Sequence, residues 1–487
     1  MAAFVATGSL LIDHDPGTVR LTYHITFQEG RFALIHIPLE YYPFFLQPIQ
    51  RLLFGEDHDE DAFKIPWPYR HNFLNVSITP IECSIVCSRD LATRFFRPLV
   101  ERFADLLGGG DQSDHVQISP EDFAVIQVDG QGLDAGQRVL ELTSPLALAG
   151  ISIFFQTTYF SDYILVPHKS IHTVIQTLEQ RGFTFSPSAA AYVSHLSPSS
   201  PITPRHSHHS STGNPFDFPG SSSAPSTPPA SNIDELRKQT FSKLKRAGIV
   251  PDVDRSIRLL SCAARKETNK VLIAQLRDDL LQVLLATCPG TNTHHKNDNQ
   301  APKFSTRFLS LTLTSEEPIS LLLESSLLSN PNLALASTLL FSRSSTSYRS
   351  DDEGSPGAGK NVLIPITLDL RDLPLEATGI ICGVAGCLAQ VTTHSDHYKD
   401  GRIRIDDDGK NLSPKTVNTE SFMKQIEVRP GSAGEAEAQD NAVEISFLST
   451  ARAGTVIVRE RELERAIRAL EFGAEMVSPP RVGNTEI

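Results

Sequence analysis

The sequence predicts an α+β fold in which a strand–helix–hairpin–helix unit, βαββα, is repeated four times. Three observations support it. Short stretches of strict apolar/polar alternation recur in pairs, each pair leads into a segment of helical period, and the four resulting blocks are separated by breaks rich in Gly, Ser or Pro.

In the first block "RFALIHIP" (Arg31–Pro38) alternates as a strand, Leu39–Gly55 carries a helix, "FLNVSITPIECSIVC" (Phe73–Cys87) is a hairpin and Arg89–Leu107 is helical. The second block has the strand "DFAVIQVD" (Asp122–Asp129), a helix over Asp134–Ala149, a hairpin over Ile151–Val166 and a helix over His168–Gln180. A third copy starts with "RSIRLLSCA", continues through the helix "TNKVLIAQLRDDLLQVLLAT" and reaches the hairpin "RFLSLTLTSEEPISLLLE". The fourth has the strand "NVLIPITLDL" (Asn361–Leu370), a helix over Gly379–Val391, the hairpin "VEISFLSTARAGTVIVRE" and a helix over Arg461–Phe472.

Small antiparallel sheets with both helices on one face follow from this order, which is the ferredoxin-like topology. The repeats occupy 1–108, 115–185, 236–345 and 361–487, with an inserted loop at 392–441. Residues 186–235 form a Ser/Pro/His linker that cannot bury enough apolar surface to offset the entropy of ordering it. Two repeats on either side of the linker predict a two-lobed molecule. Two-layer units of this kind pair edge to edge or helix to helix, which also admits a homodimer.

The composition narrows the function. Of 487 residues, 40% are hydrophobic and 21% charged, with a formal charge of −13. That balance describes a soluble globular protein and offers no basic stripe for nucleic acid. No run of apolar residues is long enough to span a bilayer, and the six cysteines have no disulfide-framework spacing. The cytosol is the expected compartment.

Several motifs have plain readings. "GQGLDA" (Gly130–Ala135) fits a dinucleotide fingerprint, but a hairpin follows its helix where a second parallel strand is required, so a tight strand-to-helix turn is expected. "GSPGAGK" (Gly354–Lys360) precedes a strand, the reverse of a phosphate loop's order. Cys83 with Cys87, and Cys382 with Cys387, are read as buried small hydrophobes and not as metal ligands. His206, His208 and His209 lie in the linker without fixed geometry. Ser197, Ser200, Thr203 and Thr227 each precede proline and are candidate phosphorylation sites on the tether. No nucleophile–base pair, Schiff-base lysine or metal-binding helix emerges. A non-enzyme without cofactor or metal is expected.

One stretch suggests a partner. In "TTYFSDYILV" the hairpin turn places Tyr159 and Phe160 beside Asp162, more aromatic surface than a turn needs and suited to a binding edge. The surrounding "GISIFFQTTYFSDYILVPHKSIHTVIQTL" resembles the second ACT repeat of the CASTOR family of cytosolic arginine sensors, with its S-T-Y-x-x-D-x-I-L-V hairpin and V-I-x-T-L helix. "LPLEATGIICGVAGCLA" resembles the family's G-I-V-x-x-I-A-G-P-L-A helix start, and "ISFLSTARAGTVIV" its last hairpin. The chain is thus similar to a divergent, fungal-type member.

The resemblance implies four ACT folds, an amino acid clasped between repeats two and four, and regulation of TOR signalling through a GATOR-type complex. Carried over by position, it implies ligand contacts from Ser152 and Ile153, from Glu376, Ala377, Thr378, Gly379 and Ile380, and from Thr450 and Gly454. Tyr159, Phe160 and Asp162 would meet the partner. Ala451 and Gly454 stand where the family places an aromatic and an acid, and Ala377 replaces an acidic loop residue, so a bound arginine would lack its carboxylate. Two other roles fit the same fold: a constitutive interaction scaffold that has lost the pocket, or a regulatory subunit of an amino-acid metabolic enzyme.

Overall fold

A computed structural model describes residues 24–55, 65–107, 115–129, 135–185, 232–264, 269–288, 307–329, 333, 335, 339–341, 362–398 and 445–475. The linker histidines, the Ser/Thr-Pro sites, "GSPGAGK" and the glycines of "GQGLDA" lie outside these residues.

The described residues begin with β1 (His24–Pro38), about twice the predicted length and bent near Gly30, whose φ of +117° is a conformation that glycine adopts without a side-chain clash. Below the bend β1 pairs with β5 (Phe123–Asp129), and above it with β3 (Glu82–Ser88). One strand therefore serves two blocks. Between them lie α1 (Tyr42–Phe54), β2 (Leu74–Ile78), α2 (Arg97–Leu107) and the short β4 (Gln117–Ile118). The second block adds α3 (Ala135–Leu148), β6 (Phe154–Thr157), β7 (Ser161–Pro167), α4 (Ile171–Glu179) and the short β8 (Thr184–Phe185). Next come α5 (Ile233–Arg246), β9 (Leu259–Ala264), α6 (Lys270–Ala286), β10 (Leu309–Leu313), β11 (Ser320–Glu324) and β12 (Leu339–Phe341). The last block contains β13 (Leu363–Asp369), α7 (Ile380–Tyr398), β14 (Ile445–Ser449), β15 (Ala453–Arg459) and α8 (Leu463–Glu475).

These strands do not form separate ferredoxin-like sheets in two lobes, as the sequence predicted. Twelve of them close into one antiparallel ring in the order β1-β5-β7-β6-β14-β15-β13-β9-β11-β10-β2-β3, with β3 returning to β1. Closure runs through four joins between blocks: β1 with β5, β6 with β14, β9 with β13, and β10 with β2. The reason is that separate four-stranded sheets leave rows of unpaired N–H and C=O groups at their edges, whereas a closed barrel leaves none.

Closure also reassigns the polar face of each strand. Alternation sends Ile126, Ile164, Ile366 and Val456 outward under α3, α4, α5, α7 and α8, forming one core. It sends Ile35, Val76, Ile85, Leu311 and Leu321 outward under α1, α2 and α6, forming a second. The opposite faces meet inside the ring. An aromatic zone of Phe32, Phe73, Phe123, Phe154 and Tyr163 lies there. So does a polar band in which the Asn75 amide donates to Thr312 Oγ1 at 3.0 Å and Ser77 shares a 2.9 Å hydrogen bond with Ser310. These side chains look solvent-facing in the sequence, yet Asn75 and Ser77 are buried. All six cysteines are buried and free, and none of the described helices is long and apolar enough to cross a membrane.

Candidate functional site

The residues named from sequence fall into three places. Ser152 and Ile153 are half-buried in the link from α3 to β6, where Ile153 joins the core that also receives Leu373 and Ala377. Glu376 is exposed, Ala377 and Thr378 are half-buried, and Gly379 and Ile380 are buried. Gly379 enters α7 at φ +81°, which turns the preceding loop onto the helix axis. Gly383 N–H then donates to Gly379 O at 2.8 Å.

A helix absent from the sequence reading covers this corner. Thr240 of α5 donates to Gly379 O at 3.0 Å, and Lys243 Nζ donates to Thr378 O at 3.2 Å. Burial lowers the pKa of Lys243 from its ordinary value. The contact is close because glycines line it: a Cβ on Gly383 would stand 2.6 Å from Thr240 Cβ, and one on Gly473 2.5 Å from the Phe241 ring. The signals for α5 are present in the sequence. Asn232 caps Glu235 N–H at 2.8 Å, acids fill the first turn and bases the last, and Leu236, Thr240, Phe241 and Leu244 share a face.

Thr450 and Gly454 sit elsewhere. The turn between β14 and β15 docks on a buried carboxylate: Glu82 accepts from the Thr450 hydroxyl at 2.6 Å, from Arg452 N–H at 2.5 Å and from His36 Nδ1 at 2.5 Å. Thr450 is therefore engaged inside the ring. Arg452 spans outward from that turn to Gln117 Oε1 at 2.8 Å and to Leu373 O at 3.3 Å. Gly454 pairs with Ser449 and Leu368 within the sheet.

The hairpin of Tyr159, Phe160 and Asp162 divides between surface and interior. Phe160 is 41% exposed and lies edge-on to Tyr159, whose N–H donates to Ser320 Oγ at 2.8 Å. Asp162 is buried and accepts from Arg138 Nε of α3 at 2.6 Å. Its burial pushes the carboxyl pKa up, and the Arg138 charge opposes that shift. Three residues that share one turn thus do not share one surface.

A second acidic anchor also escaped the sequence reading. Glu317, in the turn from β10 to β11, accepts from Ser161 at 2.5 Å, from Gln127 at 3.0 Å and from Tyr163 OH at 2.9 Å. A cavity of about 30 Å³ inside the ring is lined by residues that include Thr157, Thr158, Ser310, Thr312, Ser320 and Ser446. That volume suits a water molecule or two and excludes an amino acid.

Residues 118–180 match the ACT domain family. The matched span runs from β4 through α4, so the ACT domain contributes β5, α3, β6, β7 and α4 to the ring. One ACT domain is found where four repeats were expected. A search of curated proteins finds no match. Among solved structures, the Agobacterium tumefaciens protein Atu0741 is 18% identical over 39% of this chain and 100% of its own, with a TM-score of 0.22. Aspartate kinase from Synechocystis is 10% identical over 93% of this chain, with a TM-score of 0.26. This chain spans 56% of that kinase's length. The reading below rests on neither structure.

Proposed function

We propose that the protein is a non-catalytic regulator that binds an amino acid through its ACT domain. The observation that carries this reading is the ACT match over 118–180, whose helix α3 packs directly on α7 within one shared core. The binding corner would lie between Ser152–Ile153 and the first turn of α7 at Thr378–Ile380. The ligand would carry no cationic side chain, because Ala377 supplies no carboxylate and Glu376 points to solvent. From the CASTOR resemblance comes the finer expectation of a GATOR-type partner in TOR signalling, met by the exposed Phe160.

Calorimetry of the full chain against the twenty amino acids at millimolar concentration tests the reading. Heat of binding for a neutral amino acid supports it, and no heat for any of them sinks it. The other role, a scaffold without a ligand, is favoured by α5 lying over Gly379. Affinity capture separates the two, since a sensor's partner is released when the amino acid is added and a scaffold's is not.

A further inference from the structure

We propose that α5 is a latch: it opens as a unit while the ring stays folded, and its docking closes the first turn of α7. The inference rests on the amino-acid-binding reading only for what the latch controls. That the helix opens separately stands on the packing alone.

Four features single α5 out. It forms a third layer, packed on α3, α7 and α8, and the twelve-stranded ring closes without it. Its sequence, "IDELRKQTFSKLKR", is mostly polar, and a helix of this length is marginal in water unless its apolar face is covered. Its docked face buries Arg237, whose guanidinium meets Asp234 at 3.2 Å and whose Nε has no hydrogen-bond partner among the described residues. A buried, partly satisfied cation weakens an interface that apolar packing would otherwise make permanent. Finally, the segment just beyond α5 is pinned to the ring by paired 2.8 Å hydrogen bonds between Asp252 and Thr367. Motion is therefore confined to the helix, with Gly248 at φ +67° as the hinge.

Docked, α5 occupies Gly379 O and Thr378 O and shields two thiols. Leu236 packs with Cys382, and Phe241 lies with Cys387 against Gly473. Burial pushes both thiols up to about 11, so they are poor nucleophiles while covered. Local opening of this kind is the usual property of elements that gate a binding site.

Gly383→Ala is the wedge. Its methyl would stand 2.6 Å from Thr240 Cβ, yet alanine favours the α7 helix that carries it. Hydrogen exchange and peptide-resolved alkylation of the full chain are the readouts, with Cys83 and Cys87 in the other core as internal controls. Expected are exchange of 233–246 faster by about tenfold or more, with β1 and β5 unchanged, and selective labelling of Cys382 and Cys387. The latch is overturned if 233–246 exchanges only together with the ring strands, or if all six cysteines label in step. Calorimetry with whichever amino acid binds the unaltered protein tests the coupling: a severalfold higher affinity in Gly383→Ala supports closure, and an unchanged affinity overturns it. If no amino acid binds either protein, the ligand reading fails while exchange and labelling still decide the latch.

Discussion

The Asp162–Arg138 pair offers a quantitative test of how the ACT domain is held together. Arg138→Met keeps most of the aliphatic stem and removes the charge from a carboxylate whose side chain is 1% exposed. At an effective dielectric of 20, two unit charges about 4 Å apart attract by about 4 kcal/mol, which agrees with the roughly 3–5 kcal/mol lost when one partner of a buried pair is removed. The loss depends on pH. Burial already raises the Asp162 pKa above its unfolded value, so the native state holds its proton more tightly, and stability falls as pH rises through the interval between the two values. Without Arg138 the opposing term is gone and the folded value rises further. Urea unfolding at a series of pH values should show the variant's deficit growing as pH rises through the interval between the unfolded and the raised folded value of Asp162. Arg138→Met with Asp162→Asn should recover much of the deficit. A deficit that is the same at every pH, or a double variant no better than the single one, would refute a charge-pair origin.

Two further perturbations address the anchors inside the ring. Glu82→Ala leaves Arg452 N–H without its acceptor and the Thr450 hydroxyl with only Ala453 O at 3.2 Å, so destabilisation of about 3 kcal/mol is expected in denaturant unfolding, with exchange of the 450–452 turn rising first. Unchanged exchange there would show that the turn is held by other contacts. Tyr163→Phe removes one donor to Glu317 and keeps the ring that packs on Phe73, so a loss of about 1 kcal/mol in the same assay is the expected outcome. A loss of several kcal/mol would mean that the hydroxyl supports the whole Glu317 cluster.

Much of the local structure was legible from periodicity. The strand Asp122–Asp129, the helix predicted over Thr268–Thr287 and observed at Lys270–Ala286, and the last hairpin all follow from apolar spacing, because alternation and helical period are properties of neighbouring residues. The helix α5 carried caps and end charges but lay next to the Ser/Pro tract, and its sparse apolar face gave a weak period. Site placement was less legible. Asp162 was read as part of an exposed partner edge because two aromatics stand beside it in the turn, and nothing in sequence shows that Arg138, 24 positions earlier, reaches it. Glu82 and Glu317 drew no reading, and Thr450 was expected at a ligand, since the partners of a buried carboxylate come from distant chain.

By itself, the sequence determined most of the segments that become strands and helices, and it suggested ACT repeats, of which the block at 118–180 matches the family. Only the tertiary structure decided that the strands join into a single closed ring. Hydrogen-bond pairing at a strand edge leaves no mark on side-chain periodicity, so the edge partners β6 with β14 and β10 with β2 are invisible until the chain is folded. That closure turned alternate polar residues from a solvated face into a buried interior, and it set α5 over the corner where a ligand was expected.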